Sequence, residues 1–387
     1  MKAILTLNAG SSSIKFGLYG PGAEPALRAV GQVEGIGVDP HIIARDADGT
    51  ALADERFEAG GGHAAALSRI IALLDAAFDG AEVQVVGHRV VHGGPAFSAP
   101  ILLDDEALAS LETLSPFAPL HQPHNLAGIR AAMEAFPGAR QVACFDTAFH
   151  RSQPWVADTY ALPRRYYDEG VRRYGFHGLS YTYIAGALRR VAPDLAMGRI
   201  VIAHLGNGAS MAALMNGQPA GSTMGFTAVE GLPMGTRCGQ IDPGVLLWLL
   251  DEQGMSTGAV SDLLYRQSGL LGLSGIASDV RTLLASEAPE AAEALAYFTY
   301  RIRREIGAMA AGMGGLDALV FTAGIGEHAH TIRADICDGL GFLGVTLDPE
   351  RNAYHETVIS ADSAAVRVMV LPTDEEIVIA RACMGFL

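Results

Sequence analysis

Two stretches of this chain, about half its length apart, are built alike. Ala3–Leu7 is a short apolar run that leads through Asn8-Ala9-Gly10-Ser11-Ser12-Ser13 into a second run, Ile14–Tyr19. Ile200–Ala203 leads through His204-Leu205-Gly206-Asn207-Gly208-Ala209-Ser210 into Met211–Leu214. Each unit reads as two strands joined by a turn of Gly, Asn and Ser, which is a hairpin signal. With Asn8 set against His204, Gly10 falls on Gly206. A repeat at this spacing reads as an old duplication and predicts two related halves. Elsewhere strands alternate with helical stretches. Val83–Val86, Gln141–Phe145, Ala318–Phe321 and Val366–Leu371 are strand-like, while Leu295, Phe298, Ile302, Ile306, Met309 and Met313 form one helical stripe that stops at Gly314-Gly315. The class is α/β. Arg301, Arg303 and Arg304 beside that stripe read as a solvated or subunit-facing side.

With 387 residues, half of them apolar, the chain can bury two cores. A net charge of −15 repels nucleic acid and anionic membranes, so neither is an expected partner, and any anionic substrate needs local cations. Cys144, Cys238, Cys337 and Cys383 have no paired spacing, which points away from disulfides and zinc ribbons and toward a reducing, cytoplasmic setting. Ala3–Leu7 is too short for a signal-peptide core, and Val245–Leu250 is far short of the roughly 20 residues of a membrane span.

Seven segments carry chemistry. Asn8 to Lys15 offers backbone N–H groups, hydroxyls and a cation suited to phosphate oxygens, although a polar hairpin tip would look the same. Lys2 and Lys15 are the only lysines in a chain that otherwise uses arginine, which favours the phosphate reading. Arg89, after the apolar run Val83–Val86, lies at the inner end of a buried strand and needs a partner, either a structural carboxylate or a substrate anion. His88 and His92 are four apart, but no further ligand stands at metal spacing. Asp146 follows a strand, where a carboxylate serves either Mg²⁺ or a turn. His177 and Arg237 stand between glycines, in Gly175-Phe176-His177-Gly178 and Gly235-Thr236-Arg237-Cys238-Gly239, where backbone and ligand can approach closely. Gly324-Ile325-Gly326-Glu327-His328-Ala329 matches the dinucleotide fingerprint, a weak signal alone. Thr373 and Glu376 read as a capping box, leaving Glu375 either for a metal or as a plain first-turn acid.

Asn8–Phe16, Gly175–Ser180, His204–Gly208, Met224–Asp242, Phe321–Glu327 and Thr373–Glu376, in this order, together resemble the acetate kinase (acetokinase) family over nearly the whole chain. The resemblance implies the duplicated two-domain actin-like ATPase fold shared with sugar kinases and heat-shock chaperones, with nucleotide in the interdomain cleft. It implies an N-terminal domain of residues 1–150 completed by the C-terminal helix 374–387, a nucleotide-binding and dimerisation domain of residues 151–373, and a homodimer. It further implies Asp146, His177 and Arg237 as catalytic groups, and Arg89, Val91, Leu120, His121 and Phe176 around the carboxylate substrate. Ser11, Ser13, Lys15, His204, Asn207, Gly208, Asp279, Arg281, Gly324, Ile325 and Gly326 would hold ATP or ADP. Asn8 and Glu375 would hold Mg²⁺, with Mn²⁺ as an alternative ion. His328, Asp374 and Tyr181 depart from the family's usual Asn, Asn and His, and Ala228 from a usual proline in the acyl pocket.

The expected reaction is reversible transfer from Mg-ATP to acetate, giving acetyl phosphate and ADP, with propionate as a side substrate. A carboxylate of pKa about 4 to 5 is already ionised, so the reaction needs charge neutralisation rather than a general base. Two other classes remain: a nicotinamide-linked oxidoreductase, which leaves the Asn8–Lys15 loop without a purpose, and an actin-like ATPase, which needs no second anion site.

Overall fold

The computed structural model describes residues 2–10, 12–58, 60, 62–78, 81–119 and 121–387. The chain divides into two compact units, Met1–Arg151 with Asp374–Leu387, and Ser152–Thr373.

The first unit is built on strands β1 (Lys2–Ala9), β2 (Ile14–Gly20), β3 (Ala26–Glu34), β4 (His41–Asp46), β5 (Ala51–Arg56), β6 (Glu82–Val90), β7 (Ile101–Leu102) and β8 (Arg140–Phe145). They form one sheet in the order β5-β4-β3-β2-β1-β6-β8-β7. The second unit has β9 (Arg199–Leu205), β10 (Ala209–Met215), β11 (Gln218–Ser222), β12 (Ala318–Thr322) and β13 (Arg367–Val370), in the order β11-β10-β9-β12-β13. The inner five strands of the first sheet, β3-β2-β1-β6-β8, repeat this arrangement. In each unit the first strand pairs antiparallel with the second and parallel with the fourth, and the fourth pairs parallel with the fifth. Two sheets of one topology are what the repeated hairpin predicts.

Burial explains why these elements form. β1 and β9 are buried along almost their whole length, as fits strands with a parallel neighbour covered on both faces. In the first unit Leu5, Leu7, Phe16, Leu18 and Val86 pack with Leu67, Ile70 and Leu74 from the helix Gly62–Ala77. Each fully buried side chain of this kind contributes about 1.5–3 kcal/mol. The predicted helical stripe lies in Pro289–Met313, which buries Leu295, Phe298, Ile302, Ile306 and Met313 and ends at Gly314 with φ +73°. Arg301 and Arg304 donate to Gln240, and Arg303 to the backbone carbonyl of Ile336.

The helix Glu375–Met384 belongs to the first unit. A Cβ on Gly87 of β6 would collide with its Ile379 and Cys383 side chains, so glycine there permits the close approach. The start of this helix corrects one expectation. Its N-cap is Asp374, whose side chain accepts from the N–H of Ile377 at 2.9 Å, and not Thr373. An aspartate caps better than threonine and adds negative charge at the positive end of the helix. The departure at Asp374 thus has a structural role, and Glu375 and Glu376 follow as the first two helical residues.

Candidate functional site

In the first unit, the functional residues gather where β1, β6 and β8 end. Asn8 stands opposite Lys15 across the β1–β2 pair, and the turn closes with Gly10 N–H donating to the Ser13 carbonyl at 2.8 Å. Asn125 of the helix Gln122–Ala135 donates to the Ala9 carbonyl at 2.6 Å and accepts from Val91 N–H at 3.0 Å, tying the loop to the end of β6. Lys15 is exposed and Ser13 half-buried. Ser11 and Leu120 lie outside the described residues.

Arg89 has a carboxylate partner. Its Nη2 donates to Asp146 Oδ2 at 2.7 Å and its Nε to both Asp146 oxygens at 3.1 Å. Nη1 lies 3.3 Å from Asn8 Oδ1 and 3.5 Å from Glu375 Oε2. Burial disfavours the guanidinium charge, but Asp146 and Glu375 outweigh it and hold the pKa above its ordinary value. Asp146 is 1% exposed and Arg89 20%, so the pair is largely sequestered while the guanidinium keeps some access. Glu376 is held above the usual carboxylate range by burial and by the neighbouring Glu375 charge.

This acid-rich corner fits a divalent cation. Asn8, Asp146 and Glu375 offer hard oxygen donors, and Arg89 faces Asp146, Glu375 and Glu376, with Lys15 also acting on Glu376. Among the described residues no group of three or more His, Cys, Asp or Glu forms a complete metal cage. Mg²⁺ needs none, since it keeps waters and takes one or two carboxylates plus substrate phosphates. His88 and His92 do not form a metal pair. His88 is bonded to Gln141 Oε1 at 2.8 Å, with its pKa pushed down to about 4 by burial, and His92 Nδ1 accepts from Gly94 N–H at 2.9 Å. Val91 is buried, and His121 precedes the helix Gln122–Ala135 without a side-chain cap bond.

In the second unit, His177 sits at φ +56°, just before the helix Gly178–Val191. Histidine tolerates this left-handed conformation better than most residues. Its Nδ1 is 2.8 Å from Ser210 Oγ, which is also 2.5 Å from the Tyr181 hydroxyl. Tyr181 therefore orients Ser210 against the His177 imidazole. His204 stacks on His177, with ring centroids 4.2 Å apart, and its Nδ1 is 2.8 Å from Ser180 Oγ. A Cβ on Gly208 would lie 2.8 Å from Arg237 Nη2 and 3.2 Å from His177 Nε2, so one glycine marks where cation and imidazole converge. Arg237 is set by a tight turn, Met234 N–H to Arg237 O at 3.0 Å, and its Nη1 donates to the Ala228 carbonyl at 2.7 Å. Asn207 accepts from Gly235 N–H at 3.2 Å, which brings the two glycine-rich segments together. Phe176 is buried.

The Gly324–Gly326 segment opens the helix Ala323–His328 after β12. Gly324 is exposed, and a Cβ on Gly326 would make only ordinary contact with Phe321 and the Ala203 carbonyl. Asp279 caps the helix Val280–Leu284 through Thr282 N–H at 2.8 Å, and Arg281 is exposed. His328 is exposed, 3.9 Å from Glu327. Ser210, Ser180, Asn125, Glu327 and Arg333 also shape these sites and were not singled out from sequence. Ser180 and Ser210 stand within the quoted motifs, but their bonds to His204 and His177 span 24 and 33 residues and leave no local signal.

Comparison with known proteins places the chain in a family. Residues 3–381 match the model of the acetokinase family. The chain is 52% identical to the acetate kinase of Methylocella silvestris, over 100% of this chain and 98% of that one. It superposes with a TM-score of 0.86 on the acetate kinase of Porphyromonas gingivalis, at 38% identity over 100% and 99% of the two chains. A propionate kinase from Francisella tularensis gives a TM-score of 0.91 at 34% identity over 99% of each chain. The chain therefore belongs to the acetokinase family, a group of phosphotransferases with a carboxyl acceptor.

Proposed function

We propose that the protein transfers the γ-phosphoryl group of ATP directly to acetate and runs the reverse reaction from acetyl phosphate and ADP. The convergence of Arg237 and His177 on Gly208 carries this reading, because it sets a cation and a hydrogen-bonding imidazole where a ligand meets no side chain. Acetate arrives ionised, so no residue has to remove a proton. Arg237 neutralises charge on the transferring phosphoryl group while its bond to the Ala228 carbonyl keeps the fork aimed. His177, held by Ser210 on Nδ1, presents Nε2. Arg89 meets the carboxylate of acetate, with Asp146 fixing its plane. Val91 and His121 of the first unit and Phe176 of the second are assigned to the acyl group, as is Ala228, where the missing proline ring leaves space for propionate.

Ser13, Lys15, His204, Asn207 and Gly208 are assigned to the nucleotide phosphates, and Asp279, Arg281 and Gly324–Gly326 to the nucleoside. Asn8, Asp146 and Glu375 would hold Mg²⁺ or Mn²⁺, which when bound supplies charge neutralisation to the nucleotide phosphates.

Residues 151–373 are assigned to nucleotide binding and dimerisation, and 1–150 with 374–387 to the partner domain. The helix Pro243–Asp251, PGVLLWLLD, supports a homodimer, since none of its residues is buried and Val245, Leu247 and Trp248 are exposed. The acidic balance and four free cysteines support a cytoplasmic setting. Among the described residues no helix is long and apolar enough to cross a membrane.

A hydroxamate assay with ATP and a panel of short fatty acids tests the reading. Acetate should give the strongest acyl hydroxamate signal with propionate second, and absence of any acyl phosphate would overturn it.

A further inference from the structure

Arg333 is completely buried and has no carboxylate among its hydrogen-bond partners. All five of its N–H donors are nonetheless used. Nε donates to Asn352 Oδ1 at 2.8 Å, and Nη2 to the Asn352 carbonyl at 2.7 Å and to His355 Nδ1 at 3.0 Å. Nη1 donates to the carbonyls of Gly326 and Glu327, both at 2.9 Å. Those two carbonyls end the short helix Ala323–His328, and the last carbonyls of any helix lack partners inside it. A buried cation with only neutral acceptors is costly, and burial lowers its pKa to about 10.

The other end of the same helix is also held. Glu327 Oε1 accepts from Ala323 N–H at 2.8 Å and from Thr373 N–H at 3.2 Å. Ala323 is kept at φ +63°, where a side chain is strained. Strain of this kind persists only where the surroundings over-determine the backbone, and it clusters at functional segments. Between the two clamps lie Gly324 and Ile325.

We infer that Arg333, locked by His355, is a positioning residue for nucleotide: it holds the Gly324–Gly326 turn in its binding shape without touching the ligand. The inference rests on the assignment of that turn to the nucleoside. His355 serves as an acceptor only while Nδ1 is unprotonated. The side chains facing it are Arg333, His330 and His328, all basic, and its ring also bonds the Glu327 backbone; burial first and then these basic neighbours outweigh that bond and lower its pKa, so the neutral acceptor form is favoured.

The test uses three variants of the full chain. Affinity for ADP is measured by titration calorimetry, and KM for ATP and for acetate are measured separately. His355→Phe keeps a ring but removes the acceptor, and Arg333→Lys keeps the charge but cannot make five bonds. Each should weaken ADP binding and raise KM for ATP by roughly three- to tenfold, the effect of one or two hydrogen bonds, with KM for acetate unchanged. Gly324→Gln places a side chain where a Cβ meets nothing within 4 Å, so it leaves the fold alone and obstructs only a ligand at the turn. If Gly324→Gln weakens ADP binding while the other two variants do not, the positioning role is wrong and the nucleoside assignment stands. If Gly324→Gln binds ADP normally, the assignment fails and the inference with it. An equal rise in KM for acetate in His355→Phe would mark general damage and also overturn the inference. Because His355→Phe alters an exposed residue, it remains informative if Arg333→Lys does not fold.

Discussion

Nη1 of Arg237 donates to the backbone carbonyl of Ala228 at 2.7 Å. A guanidinium can spend one N–H on this anchor and still present a planar pair of donors to a phosphoryl group, which a lysine ammonium cannot do. Arg237→Lys should therefore fold and lose turnover by about 10² or more. Near-normal turnover in the folded variant would remove Arg237 from the mechanism.

The same contact runs through the carbonyl of residue 228 and not its side chain, so restoring the family's proline leaves the acceptor in place. A proline ring adds about two methylenes to the wall of the acyl site, each worth about 0.8 kcal/mol when buried. Ala228→Pro should lower kcat/KM for propionate relative to acetate by roughly tenfold, within the range that one methylene discriminates. An equal ratio in both proteins would show that Phe226 or Val229 sets the wall instead.

Glu375 lies 3.5 Å from Arg89, whereas Asp146 is its close partner at 2.7 Å. Glu375→Ala should therefore leave Arg89 in place and raise the Mg²⁺ concentration needed for half activity. Lys15→Ala should lower turnover with the acetate requirement unchanged. An unaltered Mg²⁺ dependence would make Glu375 an ordinary acid at a helix start.

His88 gives a pH prediction for stability. Its pKa is depressed in the fold from 6.5 to about 4, so between those values the unfolded chain binds a proton that the native chain does not. Stability should fall as pH drops from 6.5 toward 4, by on the order of 3 kcal/mol from this residue. Denaturant midpoints across that window should decline less steeply in His88→Gln than in the parent. Parallel slopes would show that His88 is not the cause.

The hairpins were legible because a short apolar run and a Gly-Asn-Ser turn are both local signals, and their repetition revealed the duplicated sheets. The strands β3–β5 were not singled out, since Ala26–Arg56 mixes polar and apolar residues and is buried only in part. The sequence Thr373-Asp374-Glu375-Glu376 offers two good caps for the last helix, and the one used is Asp374, whose Oδ1 takes the N–H of Ile377.

Glycines flanking His177 and Arg237 singled out both, and the fold brings the two side chains together at Gly208. What holds each in place was not readable. Arg89 presented two possible partners, and only the fold places Asp146, 57 residues away, against it. Arg333 looks like the polar side of a helix in Thr331-Ile332-Arg333-Ala334, and its five acceptors come from two segments that meet only in three dimensions.

The most direct test of phosphoryl transfer to a carboxylate is ³¹P NMR of the protein with Mg²⁺, run in both directions. With ATP and acetate the γ-phosphate should disappear into an acetyl phosphate resonance as ADP grows, and with acetyl phosphate and ADP the same protein should regenerate ATP. Release of inorganic phosphate alone, at a rate indifferent to acetate, would contradict the account and leave an ATPase without a carboxylate substrate.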